Sequence, residues 1–127
     1  SATLLNAARS IEKPVAELEA MLKDTACVPD LIVCEINPIF QRDEANVMPY
    51  NGSHVWDGTT YYGMSLAAAE KLLRRYGYIL SYLHAGINAF FLREDHHDRN
   101  PKLFRPIDYR MKIDHRPDPK NRPWITL

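Results

Sequence analysis

The sequence has no net charge, no long apolar run and only two cysteines among its 127 residues. Its 16 basic and 16 acidic side chains leave no electrostatic footprint for nucleic acid. No apolar stretch approaches the ~20 residues that a membrane-spanning helix needs, and no signal-peptide pattern opens the chain. Without a CxxC motif, Cys27 and Cys34 are predicted to be buried, reduced thiols, and we expect a cytoplasmic protein.

The apolar pattern predicts the order helix, strand, long loop, helix and hairpin. A helix is predicted over 14–23, followed by a strand over 31–36 whose nearly continuous apolar run is typical of parallel sheets covered on both faces. A serine N-cap and a following glycine delimit a second helix over 66–75. Two β-rich runs, 78–84 and 87–93, predict a hairpin. The strand–helix–strand crossover is expected to be right-handed and to make its two strands parallel.

Composition divides the chain into a body, 1–100, and a C-terminal extension, 101–127. The extension holds seven basic and three acidic residues and five of the nine prolines, so it cannot form a long helix. Its charge of +4 against a body of −4 predicts that it docks on the body or on a second copy. The alternation of Tyr109, Met111 and Ile113 with charged residues is typical of an edge strand.

Two groups of side chains are candidates for binding a small polar ligand. Glu35 and Asn37 lie at the carboxyl end of the first strand, where open α/β sheets bind ligands. Aromatic rings beside a carboxylate favour ligand pockets. The candidate residues in the loop and the hairpin are Trp56, Asp57, Thr59, Tyr61, Tyr62 and Asn88. The alternative is structural: the strand-end residues cap the turn, and the loop packs its own rings as a lid. The run 95–98, Asp-His-His-Asp, predicts a solvated turn and no metal site.

Residues 29–95 carry a more specific pattern. The segments PDLIVCEINPIF, VWDGTTYYGMSLAAAEKLLRRYGY and AGINAFFLRED resemble the C-terminal half of FkbM-like, class I S-adenosylmethionine-dependent methyltransferases over about 67 of the 127 residues. The resemblance implies a doubly wound sheet ending in a strand, a helix and an antiparallel hairpin. It also implies that the strand end and the following loop face the substrate.

The cofactor-binding parts of that family have no counterpart in the sequence. The family holds its cofactor with a glycine-rich turn and acidic strand ends, but residues 1–28 contain no glycine. We therefore expect a partial Rossmann-like α/β sheet of about three strands, with packed helices, that has no cofactor of its own and is not catalytic alone. It would act as a small-ligand or protein-interaction module.

Two other functions stay open, together with one prediction about assembly. The chain is alternatively a fragment or subunit of an S-adenosylmethionine-dependent methyltransferase that contributes the substrate-side loop, with the cofactor bound by another half. A second alternative is that the basic extension binds an acidic partner. The first strand would lack a neighbour and present a bare edge, which predicts a homodimer or a higher homo-oligomer.

Overall fold

A three-stranded antiparallel sheet with a helix packed on one face forms the centre of this mixed α/β protein. The structure, a computed structural model, describes residues 20–23, 28–49, 55–99, 107, 109 and 116–127. Its elements are β1 (Leu31–Glu35), β2 (Asn46–Val47), α1 (Leu66–Arg74), β3 (Tyr78–His84), β4 (Asn88–Arg93), α2 (Asp95–Arg99) and β5 (Ile125–Thr126). Residues 20–23 are also helical, whereas the rest of the helix predicted over 14–23 lies outside the described residues.

The first predicted strand is present, but its neighbour differs from the expectation. The sheet order is β1-β4-β3, and β4 is antiparallel to both of the strands beside it. β1 and β3 therefore run parallel to each other without touching, because the hairpin brings β4 back between them. Burial alternates along β1, with Ile32 and Cys34 buried and Glu35 exposed. The expectation of a strand covered on both faces is wrong, since these side chains have the period of two of a half-buried antiparallel strand.

The β3–β4 hairpin turns where the sequence predicts it. Ala85 and Gly86 both have positive φ, at 54° and 71°, and the amide of Ile87 donates to the carbonyl of His84 at 3.1 Å. Positive φ at both central residues is the signature of a type I′ turn, whose twist matches that of the flanking strands. The turn lies beside the carboxyl ends of β1 and β3.

A β-bulge at Ser81 decides which side chains of β3 face the core. The register shifts between Leu80 and Tyr82, and the Ser81 hydroxyl donates to the carbonyl of Phe90 at 3.2 Å. Because of this extra residue, Leu80 and Leu83 both face the core although their spacing is odd. Tyr82 is turned to the opposite face of the sheet, where it is 55% exposed.

Helix α1 covers the core face of the sheet. The Ser65 hydroxyl caps its N-terminus by accepting from the amide of Ala68 at 3.2 Å. Gly77, at φ 83°, ends the helical turn by donating to the carbonyl of Arg74. Buried leucines and alanines of α1 pack with Phe91, Cys34 and their neighbours. The residues of this helix were predicted almost to the boundary.

The long connection after β1 is ordered by the C-terminal end of the chain. β2, which lies inside this connection, pairs antiparallel with β5. The amide of Leu127 donates to the carbonyl of Ala45 at 2.9 Å, and the Lys71 ammonium donates to the carbonyl of Leu127 at 2.8 Å. Sequence analysis missed β5, since two residues after a proline-rich stretch carry no periodicity. In the extension, Tyr109 lies in no helix or strand, and Met111 and Ile113 of the predicted edge strand lie outside the described residues.

Two further expectations concern the acidic–histidine run and the cysteines. The run 95–98 belongs to the short helix α2 rather than to a turn, and Arg99 closes it with an ion pair to Asp95. Cys34 is buried and forms no disulfide, as predicted, and burial raises the pKa of its thiol to about 12. Cys27 lies outside the described residues. No helix in the described ranges is long and apolar enough to cross a membrane.

Candidate functional site

A cleft of about 600 Å³ lies beyond the carboxyl ends of β1 and β3. Its sides come from the connection after β1 and from the C-terminal residues that pack on it, and the β3–β4 turn contributes Ile87. We call residues 36–49, 55–64 and 116–127 the cap. The cap residues that line the cleft are Pro38, Ile39, Trp56, Gly58, Thr59, Thr60, Tyr62, Arg116, Pro117 and Pro119.

Asn37 fixes the cap to the strand end. It is 1% exposed, and its side-chain amide donates to the carbonyls of Thr60 at 2.7 Å and Tyr62 at 2.9 Å. Its side-chain oxygen accepts from the amide of Ile39 at 3.2 Å. These three bonds hold the wall of the cleft in place, so Asn37 supports the cleft and does not line it.

Trp56 and Tyr62 are the aromatic residues of the cleft. Their ring centroids are 6.4 Å apart at an interplanar angle of 84°, an edge-to-face arrangement. The Trp56 indole N–H donates to the carbonyl of Thr59 at 2.8 Å, which orients a ring that is 46% exposed. Burial, with a smaller contribution from the charge of Glu35, raises the pKa of Tyr62, so its hydroxyl is neutral at physiological pH. The two rings offer apolar surfaces nearly at a right angle to each other, beside a hydroxyl donor.

Asp57 belongs to an ionic cluster between the loop and the tail. Its carboxylate accepts from the Thr59 hydroxyl at 2.6 Å and pairs with Lys120 and Arg122, each at 3.1 Å. Arg122 also binds Asp118, whose carboxylate accepts from its Nε at 2.9 Å. The Thr59 hydroxyl, the Lys120 ammonium and Arg122 together hold the pKa of the Asp57 carboxyl well below its usual range. The sequence singled out Asp57 and Thr59 for ligand binding, but their polar atoms contact the chain itself.

Tyr61 anchors the same contact by packing. Its hydroxyl donates to the carbonyl of Pro123 at 2.7 Å, and its ring lies 4.8 Å from that of Trp124. The Arg122 guanidinium lies over the Tyr61 ring, 4.4 Å from its centroid. Phe40 packs edge-on against Trp124 at 4.8 Å. Tyr61 is buried, so it supports the cleft from behind without lining it.

Glu35 and Asn88 lie together but outside the lining of the cleft. They are opposite each other in the β1–β4 register, and both side chains are exposed. Of the eight predicted site residues, the structure therefore places Trp56, Thr59 and Tyr62 in the cleft wall. The other five lie behind it or beside it.

Sequence analysis missed the tail residues of the cleft. Arg116, Pro117 and Pro119 come from a segment more than 50 residues after the loop that they face, and the Thr60 hydroxyl donates to the carbonyl of Arg116 at 2.9 Å. The opposite charges of the body and the tail predicted docking in general. No local pattern identified which residues meet.

The described residues offer a surface for binding rather than a set of metal ligands. In the part of the chain that the structure describes, no three His, Cys, Asp or Glu side chains are grouped to hold a metal ion. Comparison of the chain with protein-family models, with curated proteins and with solved structures finds no match.

Proposed function

We propose that this chain is a methyltransferase-like module that binds a small ligand in the cleft and does not transfer methyl groups alone. The observation that carries this proposal is the cleft itself, which lies beyond the ends of β1 and β3 and has Trp56 and Tyr62 in its wall. Its volume of about 600 Å³ lies within the usual range for small-molecule sites.

The lining favours a ligand with a flat ring and at least one polar group. Pro38, Ile39 and Ile87 supply apolar surface, on which a ring loses water without losing hydrogen bonds. Trp56 and Tyr62 present one ring face and one ring edge at nearly a right angle, which suits a planar ligand that stacks on one and abuts the other. The Tyr62 hydroxyl is then available to orient a polar substituent.

The sequence resemblance supports the methyltransferase-like part of the proposal. It implies an ending of strand, helix and antiparallel hairpin, which agrees with the order β1, α1, β3 and β4. The glycine-rich turn that brings backbone close to S-adenosylmethionine has no counterpart in residues 1–28. The module would then keep the substrate side of the fold without a cofactor site of its own.

A second candidate function rests on the outer edge of β1. Hydrogen bonds from Arg93 to Asp30 and from Ile36 to Ile87 show that the even-numbered residues of this segment pair with β4. The backbone groups of Leu31, Val33 and Glu35 therefore point away from β4 and are placed to pair with a further strand. A separate cofactor-binding half that added a strand there would make this chain the substrate side of a methyltransferase.

Binding of an acidic partner by the basic extension has less support. Among the basic residues that the structure describes in the extension, Lys120 and Arg122 pair with Asp57 and Asp118. Their charges are thereby neutralised within the chain. An acidic partner would have to displace these aspartates.

Tryptophan fluorescence tests the ligand site directly, because the chain has only two tryptophans. Trp124→Phe leaves Trp56 as the single emitter, while the matched variant Trp56→Phe keeps Trp124, which packs against Phe40 and Tyr61. We expect indole, phenol or adenosine, titrated separately, to quench Trp56 in a saturable way and to leave Trp124 unchanged. Equal linear quenching of both variants by all three probes would contradict a binding cleft.

Calorimetric titration with S-adenosylmethionine separates the non-catalytic module from a complete enzyme. We expect no heat of binding with this chain alone, because the glycine-rich turn is missing. Tight binding of S-adenosylmethionine by the isolated chain would show that the cofactor site had been overlooked, and would overturn the non-catalytic part of the proposal.

A further inference from the structure

The face of the sheet opposite α1, which we call the outer face, carries two apolar rows. The register aligns Leu31 with Leu92 and Ile79 in one row, and Val33 with Phe90 and Tyr82 in the next. Tyr82 is 55% exposed, and its ring lies 5.5 Å from that of Phe90. The other members of the two rows are only partly buried. A continuous apolar surface of this kind is typical of an interaction site.

A third row at one end of the outer face is polar. Glu35 on β1, Asn88 on β4 and His84 on β3 are aligned by the register, and all three side chains are exposed. The row has an acidic group at one edge of the sheet, a neutral amide at the centre and a basic group at the other edge.

The strand directions make this face complementary to itself. β1 and β3 run parallel to each other on either side of β4. A two-fold axis parallel to β4, midway between two stacked sheets, therefore places β1 of one copy over β3 of the other with the strand direction kept. Two sheets pack in such an aligned way about 10 Å apart.

We infer that two copies of this chain associate through their outer faces about that axis. In this arrangement Glu35 lies opposite His84 of the second copy, and the same pair forms again at the other edge. Asn88 lies opposite its own equivalent, and the two apolar rows lie on the apolar rows of the second copy. A two-fold interface needs such self-complementarity, and the three rows supply it in apolar surface and in charge together.

The dimer formed through the outer faces buries a different surface from a dimer formed along the edge of β1. Tyr82 lies on β3, at the opposite side of the sheet from that edge, so its substitution affects the outer face without touching the edge of β1. Pairing through the β1 edge would leave both apolar rows in water. The two arrangements are therefore distinguished by one side chain.

Sedimentation velocity at tens of micromolar protein tests the interface. We expect the unmodified chain to sediment as a dimer and Tyr82→Lys to sediment as a monomer with an unchanged far-UV circular dichroism spectrum. The matched control is Val55→Lys, which alters another exposed apolar side chain, at 72% exposure, outside the three rows. A monomeric unmodified chain, or a dimer that survives Tyr82→Lys, would overturn the inference.

A charge exchange then tests the symmetry. Glu35→Lys removes the carboxylate that faces the histidine, and His84→Glu places two carboxylates opposite each other. We expect Glu35→Lys to raise the dimer dissociation constant, since each imidazole loses its acceptor. His84→Glu should raise it about tenfold or more, since like charges meet twice across the interface. The double variant restores opposite charges and should return to within about threefold of the unmodified chain. A double variant as weak as the single variants would show that the two edges do not meet. The readout is mass, so this test is independent of ligand binding in the cleft.

Discussion

The sheet with α1 and the cap that covers its end are held together by different forces. In the first region, large apolar side chains such as Ile32, Leu73 and Phe91 are almost completely buried. In the outer part of the cap, residues 55–60 and 116–122, segments about 60 residues apart meet through hydrogen bonds and ion pairs, of which Asp57 with Arg122 is the centre. Ile36 and Met64, at the inner side of the cap, belong to the core. The cleft is lined by the cap, apart from Ile87 of the β3–β4 turn. Its walls therefore depend in large part on this polar contact.

This difference predicts that the outer part of the cap opens at a lower free energy than the sheet with α1. Regions with few buried apolar contacts open at lower free energy than the core does. Ion pairs near the surface stabilise a contact by roughly 1 kcal/mol or less, whereas one buried phenylalanine contributes several times as much. Residues 55–60 and 116–122 are thus the part that a bound ligand would order or displace without unfolding the sheet.

The largest expected effect comes from removing a side chain of the core. Phe91→Ala should lower the free energy of unfolding by about 3–5 kcal/mol, because the ring is 0% exposed and its loss leaves a cavity against α1. Urea denaturation followed by circular dichroism at one protein concentration measures it. The control, Val55→Ala, alters an exposed apolar side chain of the cap and should change the free energy by less than about 0.5 kcal/mol. Similar losses in both variants would contradict the assignment of stability to the sheet.

The core region was predictable because its signals are local. The helical spacing of Leu66, Leu72 and Leu73, the serine before them and the glycine after them define α1 within one continuous stretch. The hairpin was equally readable from its two β-rich runs and a short turn. What local patterning could not give was the place of β4 between β1 and β3, since an apolar run in β1 is compatible with a parallel or an antiparallel neighbour.

An intermediate effect is expected where the cap is fixed to the strand end. Asn37→Ala removes the donors to the carbonyls of Thr60 and Tyr62 and the acceptor for the amide of Ile39. Buried groups left without partners cost about 1–3 kcal/mol each, and partial access of water leads us to expect a loss of about 2–3 kcal/mol in total. Probe binding by Trp56 should be lost as well.

The matched control is the other asparagine of the predicted site. Asn88→Ala alters an exposed side chain, so it should leave the free energy of folding within about 0.5 kcal/mol and probe binding unchanged. Loss of probe binding with Asn88→Ala but not with Asn37→Ala would reverse the roles that we assign to them.

The contacts within the cap were less predictable than those of the core, for a physical reason. Polar contacts between distant segments have no period in the sequence. Nothing in residues 116–124 therefore indicates that Arg122 pairs with Asp57, or that the carbonyl of Pro123 accepts a hydrogen bond from the Tyr61 hydroxyl. The aromatic residues predicted from the long loop include Trp56 and Tyr62, which line the cleft. Local patterning could not distinguish these two from Tyr61, which is buried behind the cleft, because the same residue type serves both roles.

The smallest effect is a shift in a titration within the cap. The Asp118 carboxylate accepts from the Arg122 side chain and from backbone amides of Lys120 and Arg122, and these bonds lower its pKa to about 2. Because this pKa lies below that of the unfolded chain, the contact stabilises the fold fully above about pH 4 and less as the pH falls toward 2. Carboxyl carbon shifts in NMR spectra report the titration directly. Arg122→Met should raise the pKa of Asp118 toward 3.8, the ordinary value for aspartate, and remove much of the loss of stability over that interval.

Lys120→Met is the matched control for this titration. It removes an ammonium that pairs with Asp57 but keeps the backbone amide that donates to Asp118. The pKa of Asp118 should therefore move much less in Lys120→Met than in Arg122→Met. Equal shifts in the two variants would mean that the net positive charge of the tail, rather than the hydrogen bonds of Arg122, keeps Asp118 ionised. The contact between the loop and the tail of the cap would then depend on long-range electrostatics, and it would weaken steeply with salt instead of depending on the geometry of one arginine.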